Sequence, residues 1–424
     1  KNEVVGLFAA FSFAISPYNI QFSRHHHELN IALFFYLLGL WSIIVAINKD
    51  KRKGMNLGFV SLAIPLLTYN AAKIIIPLTV LGLSIIYFKY FIKHFKYSVV
   101  AGIIVLGIFL FTFFGGGLSG RSRLSQVAFK QTDIEQTYLY KKTKIRRLGQ
   151  IELVFKQYPL HFSSEYLLER GDKNYRHSTG VIGEYYKMDV FLMLLGLGYL
   201  GYLIIKKKSK EALLLLGVIL IAPLPSSIAS EAPHAGRTMF MNGSWHILVG
   251  LGFMFLVSQL KQKLVKWLVI GLLLAGYGFQ MYGYLDFLFN DYAKKYAIDW
   301  QYGMKQIVET IKKQDPESVQ SVYMTIDRCQ PHIFFLYYLG TDVNSYNKTM
   351  IVNEGPKSGC EIINSFEKYN FGTWDYVWSR PIQGVYYVLT PSEYSGLAHI
   401  NDFTVIEKIL YPDGSDAYFI VTSY

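Results

Sequence analysis

Nineteen consecutive residues, Leu29 to Ile47, carry no charge, and that run decides what the chain can become. As a helix it reaches ~28 Å at ~1.5 Å per residue, close to the ~30 Å hydrocarbon thickness of a bilayer. Directly before it stand Arg24, His25, His26, His27 and Glu28. Charged groups are costly in hydrocarbon, so this polar knot belongs at the membrane surface or in a wet cavity. The rest of the chain repeats the arrangement: an apolar run, a polar knot at one end, lysines at the other. About nine transmembrane segments are expected, near 3–16, 30–47, 57–69, 73–89, 97–115, 189–205, 211–225, 245–260 and 264–284. Several are shorter than the ~20 residues of a perpendicular span, so tilted or broken helices are expected among them. Pro65 and Pro77 flank Tyr69, and the pair of segments around it reads as one kinked unit.

Composition agrees with this class. Only 17% of the residues are charged, against ~25% in soluble domains. The 33 Tyr and 30 Phe suit a protein with two membrane–water interfaces to line. In a soluble protein a net charge of +12 would suggest nucleic acid. Here the basic residues fall in short loops, and no nucleic-acid partner is expected. The clusters are Lys49, Lys51, Arg52 and Lys53; Lys89, Lys93 and Lys96; Lys206, Lys207, Lys208 and Lys210; and Lys261, Lys263 and Lys266. All fall on one side if each segment crosses once, and the positive-inside rule makes that side cytoplasmic. The other side then receives the Arg24 knot, the Tyr69–Lys73 corner, the outer loop 116–187, the loop 226–244 and everything after 285. The expected localisation is the cell membrane, multi-pass, in contact with membrane lipids. The chain starts at Lys1 with no cleavable signal peptide, and it reads as a fragment without its true N-terminus.

The chain divides into a membrane domain, 1–284, and a C-terminal extracytoplasmic α/β domain, 285–424. Trp300, Met304, Ile307, Val308 and Ile311 keep helical spacing. Strand-like runs follow at 321–326, 385–390, 403–410 and 417–423, with helical stretches near 332–339 and 392–398. The only two cysteines, Cys329 and Cys360, fall here. On the outer side a disulfide between them is favoured over two buried thiols. Gly115–Gly117 lacks the GK[S/T] of a phosphate loop and reads as a hinge or helix cap.

Chemistry-bearing residues gather at the outer loops. Arg24 and Glu28 are four residues apart, the spacing of a helical ion pair. The three consecutive histidines fan by ~100° each on a helix and cannot converge on one metal. Lys73 closes a charge-free helix, where it either snorkels to the interface or meets an anion. The loop 226–244 holds Glu231, His234 and Arg237, and the stretch 169–178 holds Asp172, Arg176 and His177. Arginines, a lysine and histidines on one face suit a lipid phosphate or diphosphate. The middles of the segments carry no Asp, Glu, Lys or Arg, whereas ion-coupled transporters need such groups near the midplane.

Several motifs resemble a known family. ISPYNIQFSRHHHELNIALF, TYNAAKIIIPL, FSSEYLLERGDKNYRHS and SEAPHAGRTMFM are similar to segments of bacterial and archaeal GT-C glycosyltransferases. These are relatives of the protein O-mannosyltransferases and of the lipid A aminoarabinose transferase. DWQYGMKQIVETI resembles the opening of their outer C-terminal domain. The resemblance implies an inverting hexosyltransferase of the membrane, with a polyprenyl-phosphate sugar as donor and a protein, lipid or glycan as acceptor. It implies phosphate or substrate contacts from Arg24, Tyr69, Lys73, Arg176, His177, His234 and Arg237, with Glu28 the only catalytic candidate in this chain. The family's catalytic acidic residue lies in an outer loop that precedes the matched region, and this chain has no such loop. No metal ligand set is assigned, and a divalent metal is left open. A lipid-linked glycan polymerase or ligase, and a non-enzymatic flippase or transporter, are the competing classes.

Overall fold

The computed structural model describes residues 3–25, 28–50, 52–115, 120–314, 318–352, 363–373 and 382–423, without the side chains at 52, 53, 121–123 and 126. The chain divides into two compact units, Lys1–Leu285 and Asp286–Tyr424.

The first unit opens with α1 (Glu3–Ile15) and α2 (Pro17–Ser23), which meet at a 57° bend. Proline has no N–H to continue the ladder of α1, yet it suits the first turn of a new helix. Ser16 caps that turn by accepting the Asn19 N–H at 3.0 Å. The long apolar run becomes α3 (Glu28–Lys49). Arg24 therefore sits at the end of α2 while Glu28 opens α3, so the two do not share one helix.

Four helices follow: α4 (Arg52–Thr68), α5 (Ala72–Ile86), α6 (Phe88–Lys93) and α7 (Phe95–Phe114). Gly115 caps α7, its N–H donating to the Phe111 carbonyl at 2.9 Å, while Gly116 and Gly117 lie outside the described residues. The polar stretch folds into α8 (Gly120–Val127), α9 (Gln131–Glu135), α10 (Tyr138–Thr143) and α11 (Arg146–Gln157), a 3-10 turn (Tyr158–Phe162) and a π turn (Glu165–Glu169). Next come α12 (Lys187–Ile205), α13 (Lys210–Ile221), α14 (Leu224–Ser227), α15 (Ser244–Gln259) and α16 (Lys263–Asn290).

Each of the nine expected apolar segments is helical, but not all are long enough to cross a bilayer. Among the described residues six stretches are: Glu28–Lys49, Phe95–Phe114, Lys187–Ile205, Lys210–Ser227, Met239–Gln259 and Lys263–Asn290. The bent pair α1–α2 makes a seventh if counted as one span. The break at 69–71 leaves α5 with 15 residues, a rod of only ~23 Å at the ordinary helical rise.

Close backbone approach holds the bundle together. A Cβ on Gly252 of α15 would stand 1.9 Å from the Leu192 carbonyl oxygen of α12, and one on Gly196 would stand 2.1 Å from that of Leu248. On another face of α15, a Cβ on Gly250 would meet the Val5 oxygen of α1 at 2.4 Å. Phe8 and Phe253 stack beside this contact with centroids 3.8 Å apart. Small residues at such crossings let backbones approach closely and gain van der Waals contact.

In the second unit, α17 (Tyr292–Lys295) and α18 (Met304–Lys313) precede a sheet with helices α19 (His332–Leu339), α20 (Val343–Thr349) and α21 (Pro391–Ser395) among its strands. The described strands are β1 (Ser321–Thr325), β2 (Ile351–Val352), β3 (Ile363–Phe366), β4 (Tyr369–Gly372), β5 (Val385–Leu389), β6 (Thr404–Leu410) and β7 (Asp416–Thr422). They align in the order β2-β3-β4-β1-β5-β7-β6. β4, β1 and β5 run parallel, and the flanking pairs are antiparallel. The apolar stripe of α18, Ile307, Val308 and Ile311, packs with Val322, Met324 and Phe335 in one core. Tyr387, Leu389 and Phe403 belong to a second. Cys329 is disulfide-bonded; Cys360, the other cysteine of the sequence, lies outside the described residues.

The helix crossing yields a paired prediction. Gly252→Ala should cost about 1–3 kcal/mol through overpacking and lower the melting temperature of the detergent-solubilised protein. A Cβ on Gly271 would meet nothing within 4 Å, so Gly271→Ala should leave it unchanged or raise it slightly. Equal melting temperatures for the two variants would contradict the crossing.

Candidate functional site

The site is built from two loops far apart in sequence, and Asp172 is where they meet. The first loop leaves the π turn through Gly171, at φ +74°. Only glycine fits: a Cβ there would fall 2.3 Å from Ser178 Oγ and 2.8 Å from Glu184 Oε1. Asp172 then turns its carboxylate inward, with 4% of the side chain exposed. Its Oδ1 accepts the Asn174 N–H at 2.9 Å, the local bond that closes an Asx turn. Its Oδ2 lies 2.9 Å from His177 Nδ1 and accepts the Ala235 N–H of the second loop at 2.7 Å. His234 Nδ1 stands 3.8 Å from the same oxygen.

The imidazoles of His177 and His234 have centroids 4.8 Å apart. His177 also stacks on Phe22 of α2, at 5.3 Å and 22°. His234 is held at its backbone, which donates to Ser226 Oγ at 3.0 Å. Its Nδ1 accepts the Arg237 N–H at 3.3 Å.

The short helix α2 lies across both loops. The buried Tyr18 hydroxyl donates to the Ala235 carbonyl at 2.5 Å and lies 3.1 Å from Thr238 Oγ1. Tyr166 reaches the same Thr238 oxygen at 2.8 Å. Gln21 donates to the Arg176 carbonyl at 3.1 Å, and the Tyr18 N–H to the Glu184 carbonyl at 3.3 Å. The bend at Ser16 is what turns Tyr18, Gln21 and Phe22 away from the α1 bundle and onto the loops.

Two carboxyl groups here are driven in opposite directions. Burial alone would raise Asp172, but the hydrogen bond from His177 and the proximity of His234 outweigh it and hold the group below the usual range. Glu184, fully buried, is pushed well above the carboxylate range, first by burial and then by the charge of Asp172. Its Oε1 accepts the Asp172 N–H at 2.9 Å. Burial also pushes His234 down, with Arg237 and His177 adding to the effect and Asp172 opposing it. The two shifts thus favour the ionised form of Asp172 and the protonated form of Glu184.

The other expected site residues stand at different corners. The Arg237 guanidinium turns back within its own loop, Nη1 donating to the Glu231 carbonyl at 3.0 Å and Nη2 to Glu231 Oε2 at 3.4 Å. Arg176 contributes its carbonyl to the site, while its exposed side chain reaches Asn174 Oδ1 at 3.4 Å. Lys73 donates to Asn70 at 2.6 Å, and its stem lies against Gly120 at the start of α8. Tyr69 accepts the Ala72 N–H at 3.1 Å at the break before α5. Arg24 and Glu28 flank the α2–α3 turn, both exposed; His26 and His27 lie outside the described residues.

Sequence reasoning missed Glu184 and Asp189. Asp189, fully buried, takes the Ser12 hydroxyl at 2.5 Å, the Tyr277 hydroxyl at 2.7 Å and the Tyr186 N–H at 3.0 Å. It joins α1, α12 and α16. The available signal was an acidic residue on each side of the aromatic pair in VIGEYYKMD. One atom each from Asp172, His177 and His234 lies within 4.8 Å of the other two, a spacing at which a cation could be held. Comparison with protein-family models, with curated proteins and with solved structures finds no match.

The Glu184 environment predicts a pH signature. A carboxyl raised in the folded state stabilises below its unfolded value of ~4.3, and that contribution is lost as pH rises through the folded value. Glu184→Gln keeps an acceptor for the Asp172 N–H and cannot ionise. The melting temperature of the wild type, relative to Glu184→Gln, should fall as pH rises from ~4.5 upward. Parallel curves for the two proteins would refute a neutral Glu184.

Proposed function

We propose that this chain belongs to an integral membrane glycosyltransferase of the GT-C kind, taking a sugar from a polyprenyl-phosphate donor at the extracytoplasmic face. One observation carries the reading. Three segments that resemble the family's motifs, ISPYNIQFSR, GDKNYRHS and PHAGR, come to one place through Phe22, His177, Asp172 and His234. Motifs scattered by chance over an apolar bundle have no reason to share one buried carboxylate.

In this reading the six or seven candidate spans lie in the cell membrane. The basic clusters set the cytoplasmic side, and the C-terminal unit is extracytoplasmic. The acceptor hydroxyl, on a protein, lipid or glycan, attacks the anomeric carbon. The bond from that carbon to the phosphate oxygen breaks with inversion, and the phosphate leaves with the electron pair. Arg237, Lys73, Arg24 and Arg176 are the cations the resemblance assigns to the departing phosphate, each of which would have to exchange its present partner for it. In the metal-free protein, with Nδ1–H directed at Asp172, His177 has Nε2 as a proton acceptor. Glu28 and the family's upstream acidic residue are the other candidates for the base. The transport reading would use Asp189 as its intramembrane charge, but three donors already satisfy that group, which fits a structural tie better.

The test uses the full-length protein in detergent with a radiolabelled polyprenyl-phosphate sugar. Arg237→Ala and His177→Ala should each lower sugar release by ~10²–10³, the cost of losing a group that acts in the transition state, with expression and elution volume unchanged. Wild-type turnover in both variants, or an inert wild type with every sugar donor supplied, would contradict the proposal.

A further inference from the structure

We propose that Asp172, His177 and His234 form a binding site for one divalent transition-metal cation of the zinc class. The site stands on geometry and donor chemistry and does not rest on the glycosyl-transfer reading.

Two imidazoles and one carboxylate make the three-protein-ligand set of open zinc sites, with the fourth position left to water or substrate. A tetrahedron with bonds of ~2.0 Å places neighbouring ligand atoms ~3.3 Å apart. Asp172 Oδ2 stands 2.9 Å from His177 Nδ1 and 3.8 Å from His234 Nδ1, which brackets that separation. Small side-chain rotations suffice, because one ligand atom from each residue already lies within 4.8 Å of the other two.

The surroundings also match. Metal-binding carboxylates are usually oriented by outer hydrogen bonds. Asp172 has two such bonds from backbone, Asn174 N–H to Oδ1 and Ala235 N–H to Oδ2, at 2.9 and 2.7 Å. Phe22 walls one face of His177 and limits solvent. The donor set selects among cations: imidazole suits zinc, cobalt, nickel and iron, whereas magnesium and calcium demand oxygen ligands. Because the ligands come from two loops, a bound ion would cross-link residues 172–177 to residue 234 and stabilise the fold by mass action.

The experiment takes the full-length protein in detergent, purified through a tag free of histidine and stripped with a chelator. Zn²⁺ or Co²⁺ alone is then titrated by calorimetry, with metal content and melting temperature recorded in parallel. One equivalent per chain should bind, with a rise in melting temperature, and Mg²⁺ should do neither. His177→Ala and His234→Ala should each weaken binding at least ~100-fold, above the ~10–100-fold typical of outer-shell changes. Asp172→Asn, which preserves shape and one of the two acceptor oxygens, covers the case in which a histidine variant fails to fold, and it should weaken binding too. The rival source of zinc binding is the histidine run at 25–27 in the sequence, tested by replacing all three with Ala. Binding lost in that triple variant but kept in His177→Ala and Asp172→Asn would overturn the proposal. So would equal uptake of Mg²⁺, or no stoichiometric uptake of Zn²⁺ or Co²⁺ by the wild type.

Discussion

A buried carboxylate is stable only where donors surround it, and Asp172 finds its donors on both sides of a gap in sequence. Asn174 and His177 come from its own loop, and Ala235 from a loop beyond two apolar helices. Removing any one leaves charge in a dry place, which costs more than the bond itself contributes. The two loops are therefore obliged to stay together. The rest of the site follows from that joint: His234 faces His177, Thr238 is within reach of both Tyr18 and Tyr166, and α2 lies over the top. Glu184 completes the arrangement by accepting from the Asp172 N–H, and burial and the Asp172 charge favour its protonated form.

Below the site the bundle solves a different problem. Its helices meet through glycines, at backbone-to-backbone distance. Gly252 and Gly196 let α15 and α12 touch backbone to backbone, and Gly250 does the same toward α1. Asp189 then ties α1, α12 and α16 through Ser12 and Tyr277. This tie fixes where α1 ends, and so where Ser16 and Pro17 turn the chain onto the loops. Tyr284 of α16 adds a bond to the Pro17 carbonyl at 3.4 Å. A strained or loosened bundle would shift α2, and with it Phe22 and Tyr18.

The elements that the sequence announces are those whose signal is local. The charge-free run at Leu29–Ile47, the stripe on α18 and the β-branched and aromatic runs of β1, β5 and β7 all carry their own periodicity or composition. β3 and β4 do not: INSF and YNFG are only four residues each, and they become strands because β1 offers β4 an edge and β4 in turn pairs with β3. The nine apolar segments were legible as helices, and so was the break between 57–69 and 73–89, which the structure places between α4, ending at Thr68, and α5, starting at Ala72. At the site, the histidines and Arg237 were readable as polar residues in an apolar chain. Their partners were not. Asp172 is one acid among several in a polar stretch, and its burial depends on a loop some sixty residues away. Arg237 answers to Glu231 in its own loop, a pairing that spacing alone does not favour over lipid phosphate.

The claim on which the account turns is that one carboxylate joins the two loops, and hydrogen–deuterium exchange reads that directly. In Asp172→Ala the Ala235 N–H loses its acceptor, and losing a buried bond of this kind costs ~1–3 kcal/mol. Amide exchange in residues 172–178 and 230–238 should then rise roughly 5- to 150-fold through easier local opening, while α12 and α15 keep their protection. Unchanged protection in both loops, or a uniform loss across loops and helices alike, would show that Asp172 is not the joint.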